Sequence, residues 1–327
     1  MLRSLLIALA VFLTFSIATV MGGYFYVQHF IHTPVVRTQD QELIIPKGMG
    51  GAAIAELLAK EHIVSNALLF KVAIKTAQPQ RPLIAGEYLF PKSMSPQDVL
   101  TLLASGKVIR RSLTIPEGVT ATEAMAIIAQ APYLEGTLPD TKTIAEGSLL
   151  PETYLYQRGD TRAAMLERMQ RDMQKTLNTI WEKRAENLPL SSAQDMLILA
   201  SIVEKETGIA SERPHIASVF INRLKLGMKL QSDPTTIYGI YAHTGTKPRT
   251  LSKADLLRED DYNTYVIPAL PPTPIALAGK AALEAVAHPE NTQDIYFVAT
   301  GTGGHNFAAT LEEHNKNVAH YRAQSRP

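Results

Sequence analysis

The apolar and polar positions of this chain change character three times. From Leu5 to Val27 a run of Leu, Ile, Val, Ala and Phe carries no charged side chain. At about 1.5 Å per helical residue it covers roughly the ~30 Å hydrocarbon core of a bilayer. The pattern predicts a membrane span over residues 5–27, with 1–4 on the cytoplasmic side and Tyr24, Phe25 and Tyr26 at an interface as an aromatic belt. A cleaved signal peptide is the alternative, with Arg3 as its basic region and Ser16 and Ala18 as small residues near a processing site. The run exceeds the usual h-region of about 7–15 residues, which favours a retained anchor. Residues 28–40, with Thr33, Pro34, Arg37 and Gln39, read as a polar tether.

Periods of two and of 3.6 then alternate. Glu42 to Pro46 predicts a strand, residues 47–51 a glycine loop, Ala52 to Lys60 a helix and Ala67 to Ala77 a second one. Ala85 to Phe90 alternates as a strand, and Ser95-Pro96 opens a helix through Leu103 that Gly106 closes. This makes a small α+β domain of helices and short strands. From Arg110 onward strand-like and helical stretches continue to alternate. Ser112 to Gly118 is strand and turn, Ala121 to Ala129 a helix, and Arg162 to Asn187 a long helix packed through Trp181. Val219 to Leu226 is a helix stopped by Gly227, Ile295 to Ala299 a buried strand, and Gly301 to Phe307 a turn presenting His305 and Asn306.

The most informative segment is Leu197 to Thr207, where an apolar helix capped by Ser191 or Ser192 ends in Glu204-Lys205-Glu206. Partial burial raises a carboxyl pKa towards the range of a general acid, although a solvated helix end gives the same pattern. With about 100° of rotation per residue, Glu206 falls within about 60° of Val203 and Glu204 about 100° away, so Glu206 is the carboxyl that faces inward. Downstream, Leu230 to Tyr238 gathers Gln231, Asp233, Thr235 and Tyr238 around a proline turn. Tyr262, Asn263 and Tyr265 precede the rigid Leu270 to Ile275 stretch. Such groups suit a sugar, and equally a capped helix or plain packing.

Charge and composition exclude other chemistries. Lys plus Arg number 32 against 31 for Asp plus Glu, so no basic field points to nucleic acid. The absence of cysteine excludes disulfides and thiolate metal sites. His215, His243, His288, His305 and His314 lack ligand spacing, and no nucleotide-binding, zincin or nucleophile-elbow motif is present; neither a metal nor a cofactor is expected.

Several segments in order resemble the MltG (YceG-like) family of endolytic murein transglycosylases: Ala200 to Thr207, Ser218 to Leu224, Gln231 to Thr235, Tyr262 to Tyr265 and Gly303 to Phe307. The chain departs from the family at Ala269 and Thr273, where glycine is common. The resemblance implies a LysM-like domain over residues 41–108 and a YceG-like catalytic domain over 109–327. It implies Glu206 as the catalytic acid. It also implies cleavage of the MurNAc–GlcNAc β-1,4 bond within glycan strands with 1,6-anhydro ends, and a role in terminating nascent strands. Glu146-Gly147 and Pro151 to Tyr154 resemble a further motif, so Glu152 and Tyr154 join Gln231, Asp233, Thr235, Tyr262, Asn263, Tyr265, His305 and Asn306 as substrate-binding candidates. The implied partners are peptidoglycan, the inner membrane, with the catalytic domain in the periplasm, and penicillin-binding synthases. Two rivals remain: a lysozyme-like muramidase with Asp233 or Glu152 as second carboxylate, and a noncatalytic wall-binding scaffold.

Overall fold

A computed structural model describes residues 2–76 and 82–324, and the chain divides into two compact units. The first holds residues 1–111 and 155–158, the second 112–154 and 159–327. The expected boundary near 108 therefore moves to 111, and the short return 155–158 joins the first unit. Ala77, the expected end of the second helix, lies outside the described residues.

The first unit begins with helix α1 (Leu2–His32), long and apolar enough to cross a membrane. Within it the Thr14 and Thr19 hydroxyls donate to the carbonyls of Ala10 and Phe15, the local satisfaction that an apolar medium demands. The reading of residues 28–40 as a tether is corrected here. The helix continues to His32, and Phe30 and Ile31 are buried in the core of the first unit. Strand β1 (Val35–Val36) then pairs antiparallel with β4 (Ser93–Met94), and Arg37 donates to the carbonyls of Ile63 and Pro91. The polar residues that suggested a loop are those that tie the segment down.

Between these strands the order is β2 (Gln41–Ile45), α2 (Gly51–Lys60), α3 (Ala67–Thr76) and β3 (Gly86–Phe90), followed beyond β4 by α4 (Pro96–Ser105). Strands β2 and β3 pair antiparallel from Gln41↔Phe90 to Ile45↔Gly86. Ser95 and Asp98 form a reciprocal capping box on α4, and Gly106 ends it at φ 65. Ile54, Leu58, Phe70, Tyr88 and Leu103 close the core.

The division falls within β5 (Arg111–Thr114), which belongs to the second unit from Ser112, and within β6 (Thr153–Tyr156), which belongs to it as far as Tyr154; the second unit further comprises α5 (Ala121–Gln130), α6 (Arg162–Glu182), α7 (Ala193–Glu206), α8 (Arg213–Lys225), α9 (Asp233–Thr244), α10 (Lys253–Leu257), α11 (Lys280–Ala287), β7 (Tyr296–Ala299), β8 (His305–Ala308) and α12 (Leu311–Gln324). Ser192 caps α7 by accepting from the Asp195 amide. Every residue from Met196 to Val203 is buried, so α7 is a central helix with no solvent stripe. The alanines of α11 let it lie close against α7, with α8 packed beside both. Three expectations are revised. Helix α6 stops at Glu182, before Asn187, which takes φ 63. The Asp233-Pro234 pair is the first turn of α9, where proline's missing N–H is harmless. Strand β7 is only half-buried, because the β7–β8 hairpin lies at the edge of the core with Phe297 and Phe307 turned towards it.

Candidate active site

Glu206 is the last residue of α7 and stands at the wall of a cavity of about 350 Å³. Arg223, Gln231, Asp233, Tyr265 and His314 share that cavity, and Leu230, Phe297, Val298 and Val318 make it partly apolar. The Glu206 Oε1 accepts a hydrogen bond of 2.5 Å from the Ser232 hydroxyl. Desolvation by the surrounding protein lifts the carboxyl pKa to about 7; nearby Asp233 pushes the same way, while Ser232 and the Arg223 charge oppose it. The negative end of the α7 dipole adds to the preference for the protonated form. One side chain can thus both hold and release a proton near neutrality.

The floor beneath Glu206 is a set of buried hydroxyls. The Ser232 amide donates to the Thr264 hydroxyl at 2.9 Å, Thr235 donates to the Ser232 carbonyl at 2.7 Å, and the Thr235 and Thr264 hydroxyls are 2.8 Å apart. Gln231 adopts φ 52, an uncommon left-handed conformation for a side-chain-bearing residue, and its amide donates to the Thr264 carbonyl. This turn places Ser232 below the carboxyl and leaves Gln231 and Asp233 exposed at the mouth. The Tyr265 hydroxyl donates to Asp233 Oδ1 at 2.6 Å.

Arg223 supports the opposite wall. Its Nε donates to the Ile295 carbonyl at 2.6 Å and its Nη1 to the carbonyls of Lys229 and Leu230, which binds α8 to the β7 hairpin and to the Gln231 turn. Asn222, the preceding residue, donates to the carbonyls of Thr292 and Asp294. The imidazole of His314 stacks on Tyr296, with burial and Arg223 holding its pKa down. Its Nδ1 is buried without a hydrogen-bond partner. Among the described residues no group of three or more His, Asp or Glu could hold a metal ion.

The residues singled out in the sequence separate into those at the cavity and those elsewhere. Gln231, Asp233 and Tyr265 meet Glu206 there. Thr235 is fully buried in the hydroxyl floor, and Asn263 is buried with its amide nitrogen donating to the carbonyls of Asp255, Leu256 and Arg258 and its oxygen accepting from Thr236. Tyr262 packs edge-on to Tyr238, and its hydroxyl meets Thr273 at 2.9 Å, a contact that glycine at 273 could not make. His305 lies in β8, where Glu212 receives both its backbone amide and its Nδ1, and Asn306 pairs with Val298 across the hairpin. Tyr154 is buried with its hydroxyl on the Leu150 carbonyl, and the Glu152 side chain accepts from the Thr153 amide. These last four residues do not line the cavity.

Ser232, Arg223 and His314 escaped the reading of the sequence. Arg223 had a visible signal, a cation that with Asn222 interrupts the apolar Val219 to Leu224 stretch. Ser232 lay within the family-like Gln231 to Thr235 segment, and His314 had no signal. Glu204, two residues from Glu206, accepts from the Gly279 amide at 3.0 Å and meets Arg213, while burial raises its pKa. Glu146, also buried and raised, accepts from the Ala121 and Gly147 amides.

Residues 43–320 match the model of the YceG-like family. A protein of Bacillus subtilis (strain 168) named endolytic murein transglycosylase is 32% identical over 335 residues, covering 92% of this chain and 91% of that protein. One of the same name from Streptococcus pneumoniae (strain D39) is 28% identical over 361 residues, covering 95% of this chain and 64% of its own. A crystal structure of a YceG-like protein from Listeria monocytogenes is 28% identical, covers 85% of this chain and 99% of that one, and superposes with a TM-score of 0.49. The match over residues 43–320 and the relative that shares 32% identity across 92% of the chain show that it belongs to the YceG-like family.

Proposed function

We propose that the chain is an endolytic murein transglycosylase: a lyase that cuts the MurNAc–GlcNAc β-1,4 bond inside peptidoglycan strands. The observation that carries this is a single carboxyl, Glu206, held near pKa 7 over a hydroxyl floor at the wall of a half-apolar cavity. The names of the two relatives supply the substrate class.

In the proposed reaction the protonated Glu206 donates to the glycosidic oxygen as the C1–O bond breaks, and the GlcNAc hydroxyl departs with that proton. The Glu206 carboxylate then takes the proton of the muramic C6 hydroxyl as its oxygen bonds to C1, closing a 1,6-anhydro ring. The same carboxyl acts as acid and then base, and ends protonated as it began. Gln231 and Asp233 are the polar groups placed to meet sugar hydroxyls, and Tyr265 holds Asp233 in position.

The strand–helix–helix–strand order of β2, α2, α3 and β3, closed by antiparallel pairing, supports the LysM-like reading of residues 41–108. The length and apolarity of α1 support a single-pass anchor in the inner membrane, and Arg3 supports a cytoplasmic N-terminus with a periplasmic catalytic unit. Terminating nascent strands beside peptidoglycan synthases is the role that the family resemblance implies for a chain so anchored.

The presence of Asp233 in the same cavity gives a muramidase reading a specific basis, since glycoside hydrolysis ordinarily employs a second carboxylate. Mass spectrometry of glycan digested by the full chain in detergent separates the two. Anhydromuramic ends are expected, and reducing ends alone would overturn the proposal.

A further inference from the structure

We propose that the first unit is seated in the lipid headgroup layer, with α1 passing from the bilayer directly into its core and the start of α3 resting on the membrane surface. The inference builds on the reading of α1 as a membrane span. It concerns a surface outside the cavity that holds Glu206, and its partner is a phospholipid bilayer.

Length sets the first constraint. Tyr24, Phe25 and Tyr26 are all more than half exposed and mark the interface. Phe30 and Ile31, at 8% and 7% exposure, already belong to the hydrophobic core of the unit, and Val27 packs against it. From Tyr26 to Phe30 a helix rises about 6 Å. The polar layer on one side of a bilayer is about 5–7 Å deep. The Gly22-Gly23 pair lies on the bilayer side of the belt, so no glycine offers a bending point between Tyr24 and Phe30. A unit joined to the span by so short a rigid segment has no room to stand clear of the headgroups.

The second constraint is what lies at that level. A cavity of about 450 Å³ has Tyr26, His29 and Thr33 of the helix end on one side and Ser65, Asn66 and Leu69 on the other. The start of α3 is therefore level with the aromatic belt. There Leu68, in the first turn of α3, is 69% exposed. The first turn of α3 carries no acidic residue, so no carboxylate there faces an anionic lipid surface. An apolar side chain at the boundary of headgroup and acyl chain is stabilised by partial burial, whereas in water Leu68 would stay exposed.

The sequence contains no cysteine, so single thiols report position cleanly. The full chain, carrying a fluorophore at Leu13→Cys or at Leu68→Cys, is reconstituted in nanodiscs of phosphatidylcholine and phosphatidylglycerol. It is then exposed to nitroxide lipids labelled in the tail or in the headgroup, and to aqueous iodide. Tail nitroxide is expected to quench position 13, and headgroup nitroxide to quench position 68 several-fold more than iodide does. Quenching at 13 with position 68 answering to iodide alone would overturn the seat while the span stands. No lipid quenching at 13 would overturn the span and the seat together. A twelve-residue Gly/Ser insertion between Tyr26 and Val27 is expected to cut headgroup quenching at 68 at least twofold; undiminished quenching would overturn the role given to the continuous helix.

Discussion

Glu206 is a costly residue to bury, and the cost has a pH signature. Its folded pKa of about 7 stands above the ordinary value of 4.5. Between those values the unfolded chain has lost the proton and the folded one keeps it, so stability falls as pH rises through the window, by up to about 3 kcal/mol above pH 7. Glu206→Gln removes that penalty. Its melting temperature should match the parent near pH 4 and exceed it by several degrees at pH 8 in a thermal scan, while turnover falls by about 10³-fold or more. Ser232 acts in the opposite sense, because its hydroxyl favours the ionised carboxylate. Ser232→Ala should move the alkaline limb of the pH–rate profile upward by about one pH unit, without a proportionate change in KM. The rotation of about 100° per residue favoured Glu206 over Glu204 although its premise of a narrow apolar stripe does not hold, since α7 is buried on every face from Met196 to Val203. The inward carboxyl instead follows from the turn at Gln231, a left-handed residue with no sequence marker. For the same reason Asn263, a sugar-suited amide by type, is occupied in fastening a loop.

Element ends carry more of the architecture than element faces. At the end of α7, Glu204 binds the amide of Gly279, which precedes α11, and meets Arg213, the first residue of α8. It is a junction between three helices. Glu204→Gln keeps an acceptor for the Gly279 amide, so it should retain turnover within a few-fold of the parent, measured beside Glu206→Gln in the product assay. Gly147 is a second junction. It sits at φ 77 with Pro274 Cγ only 2.6 Å from where a Cβ would lie, and proline cannot give way. Gly147→Ala should cost about 1–3 kcal/mol, read from the denaturant midpoint. Caps and stops such as Ser95, Gly106, Ser192 and Gly227 were legible because each acts within one turn of its own helix. The end of α1 was not, because Phe30 and Ile31 are helical through tertiary burial and the polar residues after them hide the continuation.

Each unit has a hydrophobic core of its own, one built around Phe70, Tyr88 and Leu103 and the other around α7. Calorimetry should therefore resolve two transitions, and Phe30→Ala should lower one of them by about 3–5 kcal/mol while leaving the other in place. A chain begun at residue 41 should show the same loss, since it lacks Phe30, Ile31 and β1. The division into a small and a large α+β part was readable from the switch in periodicity, but its covalent path was not. Residues 155–158 return to the first unit, where Arg158 and Arg111 both reach Glu87, a carboxylate only 2% exposed. That return bears on synthesis. Domains ordinarily fold in the order they emerge from the ribosome. Here the N-terminal unit must wait, with a buried acid short of one cation, until residue 158 has emerged and half of the chain has been made.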